Sequence, residues 1–143
     1  MSNISQGEAR KIIDGALAKG AEAGMNPLAV AVLDAGGHLV AYERQDGASP
    51  GRFQIASGKA YGAVMLGMGS RALMNRAEQQ AYFIAAAGAA FDGKLVPVPG
   101  GVLVKDAGGA VIGAVGISGD SSDNDEAACV AGIEAAGLAG VTG

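Results

Sequence analysis

The chain has 143 residues, 50% of them hydrophobic, which is long enough to bury a core without disulfides or a structural metal. Its formal net charge is -4 and its ten Lys and Arg residues are scattered, so no basic stripe exists to neutralise a run of phosphates and nucleic acid is not an expected partner. A single cysteine, Cys129, cannot bridge internally, and with only one histidine the soft-ligand zinc sets cannot be assembled, so no metal centre is expected.

No apolar run reaches membrane-spanning length, and residues 1–10 carry no signal-peptide pattern. A cytoplasmic protein with one domain over residues 1–143 is therefore expected. Tryptophan is absent and 25 residues are glycine, a composition that predicts closely approaching backbones.

In chain order, Ser5 and Glu8 have capping-box spacing, and Ala9, Ile12, Ile13, Ala16 and Leu17 then recur at helical intervals. Gly24 and Asn26-Pro27 close that helix. Val30–Leu33 and His38–Arg44 flank Asp34-Ala-Gly-Gly37, which reads as a hairpin of two strands. The same design returns at 105–113 against 33–41, with Val102–Lys105 and Ala110–Gly116 around Asp106-Ala-Gly-Gly109. Good turn chemistry used twice and ancient duplication both account for the copy. Two such hairpins can pair into one antiparallel sheet.

Between the hairpins, Ser49 and Pro50 predict a helix start, and Phe53 to about Gly67 carry the helix, including Lys59 on a largely apolar surface. Ser70 predicts a second cap and a helical stretch that stops at Gly88. Leu95–Val98, interrupted by proline, predicts a short edge strand. Asp123 with Glu126 has the form of a second capping box, starting a terminal helix that runs to Leu138. The order helix, hairpin, helices, hairpin, helix predicts an α+β sandwich around an antiparallel sheet.

Nucleophile elbow, phosphate-binding loop and dinucleotide fingerprint are all missing. His38 reads first as a turn-flanking residue, with haem or metal ligation the alternative. Asp120, Asp123, Asp125 and Glu126 do not follow the calcium-loop order and fit helix capping better. The Gly116–Gly119 turn could cradle an anion, against which the nearby aspartates count. The most chemically equipped set is Glu43, Arg44 and Asp46 with Lys59 and Tyr61 on the following helix. There Arg44 can clamp a carboxylate and a desolvated Lys59 can serve as acid, base or electrostatic stabiliser. A surface salt bridge from Glu43 or Asp46 to Lys59 is the plainer account.

Several ordered motifs carry a resemblance. Val30-Ala-Val-Leu-Asp-Ala-Gly-Gly-His-Leu-Val-Ala41, Glu43-Arg-Gln-Asp-Gly-Ala48, Lys59-Ala60, Pro99-Gly-Gly-Val102 and Gly116-Ile-Ser-Gly119 with Asp125-Glu126 resemble the GlcG/HbpS family, labelled haem-degrading or haem-binding. That family is related to the C-terminal domain of PduO-type corrinoid adenosyltransferases, and the likeness extends from about Ser5 to Leu138. It implies a profilin-like α/β/α sandwich with a five-stranded antiparallel sheet flanked by helices, and a homo-oligomer, dimer to octamer.

Carried over by position, Arg44, Asp46, Lys59, Gly100, Gly101 and Gly119 fall on family motif positions. The resemblance implies a small-ligand-binding protein, with haem or a related tetrapyrrole as the ligand class. His38 and Tyr61 join those glycines as candidate binding residues. Two alternatives stay open. One is a cofactor-independent isomerase or lyase acting on a small carboxylate or carbonyl intermediate of catabolism through Lys59, Arg44, Asp46 and Glu43. The other is a non-catalytic accessory subunit of a catabolic enzyme.

Overall fold

The computed structural model describes residues 3–143 as five helices and a five-stranded antiparallel sheet. Helix α1 (Gln6–Glu22) starts at the expected capping box. Ser5 Oγ accepts from the Glu8 N–H at 3.0 Å and the Glu8 carboxylate accepts from the Ser5 N–H at 2.9 Å. The first hairpin is β1 (Ala29–Asp34) and β2 (Leu39–Arg44); the second is β3 (Gly101–Lys105) and β4 (Val111–Ser118). The two turns match in detail. Gly37 and Gly109 both take φ +83°, a conformation that glycine adopts without strain. The register also slips at equivalent places, between Val32 and Leu33 and between Val104 and Lys105.

The hairpins join through β1 and β4, and the sheet order is β2-β1-β4-β3-β5. Strand β5 (Ala139–Val141) follows the terminal helix α5 (Ser122–Ala135) and pairs with β3. The main core lies on one face. There Val30, Val32, Val102, Val104, Val115 and Ile117 meet Ile12, Ile13 and Ala16 of α1 and Ala128, Cys129 and Ile133 of α5.

Helix α2 (Arg52–Leu66) covers the other face, whose central row is Ala31, Gly116 and Gly101. A Cβ on Gly116 would overlap the Ala56 carbonyl oxygen, and one on Gly101 would overlap the Lys59 carbonyl oxygen. The helix backbone therefore rests directly on the sheet, as the glycine-rich composition predicted.

Five local expectations are corrected. Helix α2 begins at Arg52 rather than at Pro50, with Gly51 at the N-cap, because the Ser49 hydroxyl is taken by the Arg52 side chain. Ser70 is not a cap. It lies inside α3 (Ser70–Gln79), where its Oγ accepts from the Gly101 N–H at 2.7 Å and donates to the Gly101 carbonyl at 3.2 Å. The chain breaks at Gln80, and α4 (Ala81–Ala90) runs past Gly88. Residues 95–98 form no strand, because Leu95 and Val96 seat their side chains against Gly62 and Gly58 of α2. At α5 the cap is Ser121, which accepts from the Asn124 N–H at 3.2 Å, and the helix stops at Ala135.

Candidate functional site

Lys59 and Asp125 form an ion pair inside the molecule, with Nζ 3.1 Å from Oδ2 and both side chains 2% exposed. Nζ also donates to the Ile117 carbonyl at 2.9 Å, and Asp125 Oδ1 accepts from the Asp120 N–H at 3.0 Å. Burial pushes the Asp125 carboxyl up from its ordinary value, opposed by the Asp120 N–H and by Lys59. Gly100 packs over this pair, leaving no room for a Cβ beside Lys59 Nζ, and its carbonyl accepts from Cys129 Sγ at 3.3 Å. Burial drives the Cys129 thiol far up as well, which makes it a packing residue rather than a reactive one. Gly119 lies against Pro27 and Leu28 at the end of β4.

The rest of the acidic run is also engaged. Arg71 of α3 pairs with Asp123 and, at 3.0 Å, with Glu126. Asp120 accepts from the Asn26 N–H at 2.9 Å and from Asn124 Nδ2 at 2.7 Å. Among the described residues no three His, Cys, Asp or Glu side chains are placed to hold a metal ion.

Glu43, Arg44 and Asp46 come together along an open groove of about 630 Å³, between the end of β2 and the α1 terminus at Gly20, Ala21 and Met25. Lys59 is not brought to them. Its partner is Asp125 of α5, not Glu43 or Asp46, so the expected surface salt bridge is replaced by an interior one.

Tyr61, two positions further along α2 and so about 200° around it, projects elsewhere. It helps to line a cleft of about 400 Å³ between α2, the first hairpin and the loop after α4. Leu33, Leu39 and Phe53 make the apolar wall, Gln54 and Ser57 add polar groups, and Asp92 to Lys94 form a rim. The Tyr61 ring is fixed edge-on to Phe91 at 6.1 Å, with Lys94 Nζ 5.7 Å from its centroid.

His38 stands on the turn between Gly37 and Leu39, which line this cleft, and is itself 81% exposed, with Nδ1 3.2 Å from Asp34 Oδ1. Although burial works the other way, the N–H groups of His38 and Gly36 hold the Asp34 carboxyl below its ordinary value. An ionised Asp34 can only accept, so a neutral His38 carries its proton on Nδ1 and presents Nε2 to solvent. Sequence reasoning missed Leu39, Phe53 and Lys94 as cleft residues, since nothing local marks them. It also missed the partner of Lys59, although Asp125 falls within one of the motifs quoted above.

Comparison with known proteins fits this fold. The fold is similar to that of PduOC in its complex with haem (TM-score 0.84, 23% identity, 95% of this chain and 96% of that chain). It is also similar to ORFY from Klebsiella pneumoniae (TM-score 0.85, 22% identity, 96% and 92%). A double mutant of HbpS from Streptomyces reticuli has TM-score 0.79 and 26% identity over 94% of this chain and 87% of that chain. A search of curated protein sequences gave no match. The model for haem degrading protein HbpS-like matches residues 4–134, so the chain belongs to the HbpS-like family.

Proposed function

We propose that this protein binds haem or a related flat tetrapyrrole at the cleft beside the first hairpin. The observation that carries the reading is the apolar cleft itself, with the His38–Asp34 pair on the turn whose Gly37 and Leu39 line it. Ligating imidazoles commonly give their other ring N–H to a carboxylate, which fixes the tautomer and leaves the second nitrogen for iron. Leu33, Leu39, Phe53 and Tyr61 supply an apolar wall for the macrocycle, and Lys94 on the rim suits a propionate. Family membership and the haem complex of PduOC support the same ligand class. When bound, the group would supply redox-active iron; the chain's part is to orient the ring and present His38.

Self-association belongs to the same proposal. Helix α4 has no charged residue and only Ala87 buried, while Tyr82 is 73% exposed, and such a patch is a candidate for cover by a second copy. The experiment is a haemin titration of the apo-protein that follows the Soret region and thermal stability together. A ligand that binds only the native state raises both signals. A saturable shift that weakens in His38→Ala is expected, with a smaller loss in Lys94→Gln. A nonspecific response overturns the haem reading.

A further inference from the structure

At the far end of β2, Arg44 and Arg52 lie on one face of the sheet, and among the described residues neither is in an ion pair. The ladders align Arg44 with Ala29 and Ala29 with Ser118, so these three stand in one row on one face of the sheet. At about 4.8 Å per strand, the outer two Cα atoms are about 10 Å apart. The face is that of α2, because Tyr42, two residues before Arg44, packs edge-on against Phe53 with centroids 4.8 Å apart.

Arg52 enters the row from the first turn of α2. Its Nε donates to Ser49 Oγ at 3.0 Å and its Nη1 to Ser118 Oγ at 2.9 Å, and Ser118 is 1% exposed. Arg52 is thus half-buried and held in place by two neutral hydroxyls. Among the described residues neither Arg52 nor Arg44 has a carboxylate within ion-pair distance. The remaining N–H on Nη1 and both on Nη2 form an open, planar edge.

Two further groups on this side lack partners. Gly51 gives α2 no side-chain cap, and the N–H groups of Phe53 and Gln54 find no acceptor among the described residues. Tyr42 Oη is buried without a hydrogen-bond partner. Burial pushes that phenol up, and the Arg44 charge, two residues along the same face of β2, opposes the shift.

We infer that Arg44, Arg52 and the uncapped first turn of α2 form a binding site for a small oxyanion, a carboxylate taken edge-on by Arg52 and clamped by Arg44. This site adjoins the cleft assigned to the tetrapyrrole, since Phe53 and Gln54 of α2 border both, but it does not depend on that assignment. Inorganic phosphate offers the same charge chemistry in tetrahedral form.

The test is done without haemin, so its outcome is independent of the haem reading. Sodium succinate and inorganic phosphate are titrated separately at fixed ionic strength, with chloride as control, while backbone amide resonances of Phe53 and Gln54 are followed. Saturable shifts with succinate are expected, weakened roughly tenfold or more in Arg52→Gln, partly restored in Arg52→Lys, and weakened in Arg44→Gln. Arg10→Gln, on the exposed side of α1, should change nothing. Arg44 is exposed, so its variant tests the site even if Arg52→Gln perturbs packing. Tighter binding of phosphate with the same variant pattern supports the site and assigns it to phosphate. No saturation, an equal response to chloride, or indifference to both arginine variants overturns it.

Discussion

Replacing Lys59 by methionine keeps most of the apolar stem and removes the charge from an interior pair whose side chains are each 2% exposed. Asp125 would then keep only the Asp120 N–H, and the Ile117 carbonyl would lose its side-chain donor. Breaking one side of a buried pair costs about 3–5 kcal/mol, because the remaining charge stays desolvated. For 143 residues the unfolding entropy near the midpoint is about 0.3 kcal/mol/K, which converts that loss into a fall in Tm of roughly 10–17 °C.

Adding Asp125→Asn removes the orphaned charge while keeping an acceptor for the Asp120 N–H, so the double variant should be more stable than Lys59→Met alone. The pH dependence has a definite sign. Without Lys59, burial raises the Asp125 carboxyl in the folded state further above its unfolded value near 3.8. The folded state then binds the extra proton. The penalty is full above the folded pKa and fades as pH falls toward 3.8. Urea unfolding of the wild type, both single variants and the double variant across this range measures each quantity. A loss under about 1 kcal/mol in Lys59→Met, or a double variant worse than the single, would refute the reasoning.

Gly116→Ala should cost about 1–3 kcal/mol in urea unfolding, since its methyl would overlap the Ala56 carbonyl and lift α2 from the sheet. Gly88→Ala meets open space in the middle of α4 and should gain about 0.5–1 kcal/mol by the same measurement. Ser70→Ala leaves the Gly101 N–H buried without its acceptor, so a loss of about 1–3 kcal/mol is expected, with faster amide exchange at Gly101. The Asp34 carboxyl is held below 3.8, so its contribution is present above that pH and is lost as pH falls through the folded value. Asp34→Asn should be less stable near neutrality and show less acid sensitivity; an unchanged acid midpoint would count against that role.

What was legible in the sequence was chiefly what is decided within a few residues. The Ser5–Glu8 box and the two Asp-Ala-Gly-Gly turns need only their own side chains and backbone, and both formed as read. Ser49, Ser70 and Asp123 had the same local credentials as caps, yet each is claimed from elsewhere. Ser49 goes to the Arg52 side chain, Ser70 to Gly101 and Asp123 to Arg71. Leu95–Val98 had a strand's composition, but Gly58 and Gly62 of α2 offer its side chains a groove that no local pattern announces. Strand β5 is only three residues long and is defined by pairing with β3, so it carried no periodicity. The family resemblance supplied the five-stranded count that local reading had filled with the wrong segment.

The candidate site was less legible for the same reason. Glu43, Arg44 and Asp46 do line one groove, but Lys59 answers to Asp125 on a distant helix. The sheet's Ala31–Gly116–Gly101 row is what decides this. With no side chain larger than a methyl there, the α2 backbone sits on the strands. One helix register then sends Lys59 inward to Asp125 and Tyr61 outward to the cleft. It also brings Arg52 to Ser118. A methyl added under that helix should therefore disturb the ion pair, the cleft wall and the two-arginine row together. Gly116→Ala, read for folding stability, haemin response and succinate response in the same preparation, separates a shared scaffold from three independent features.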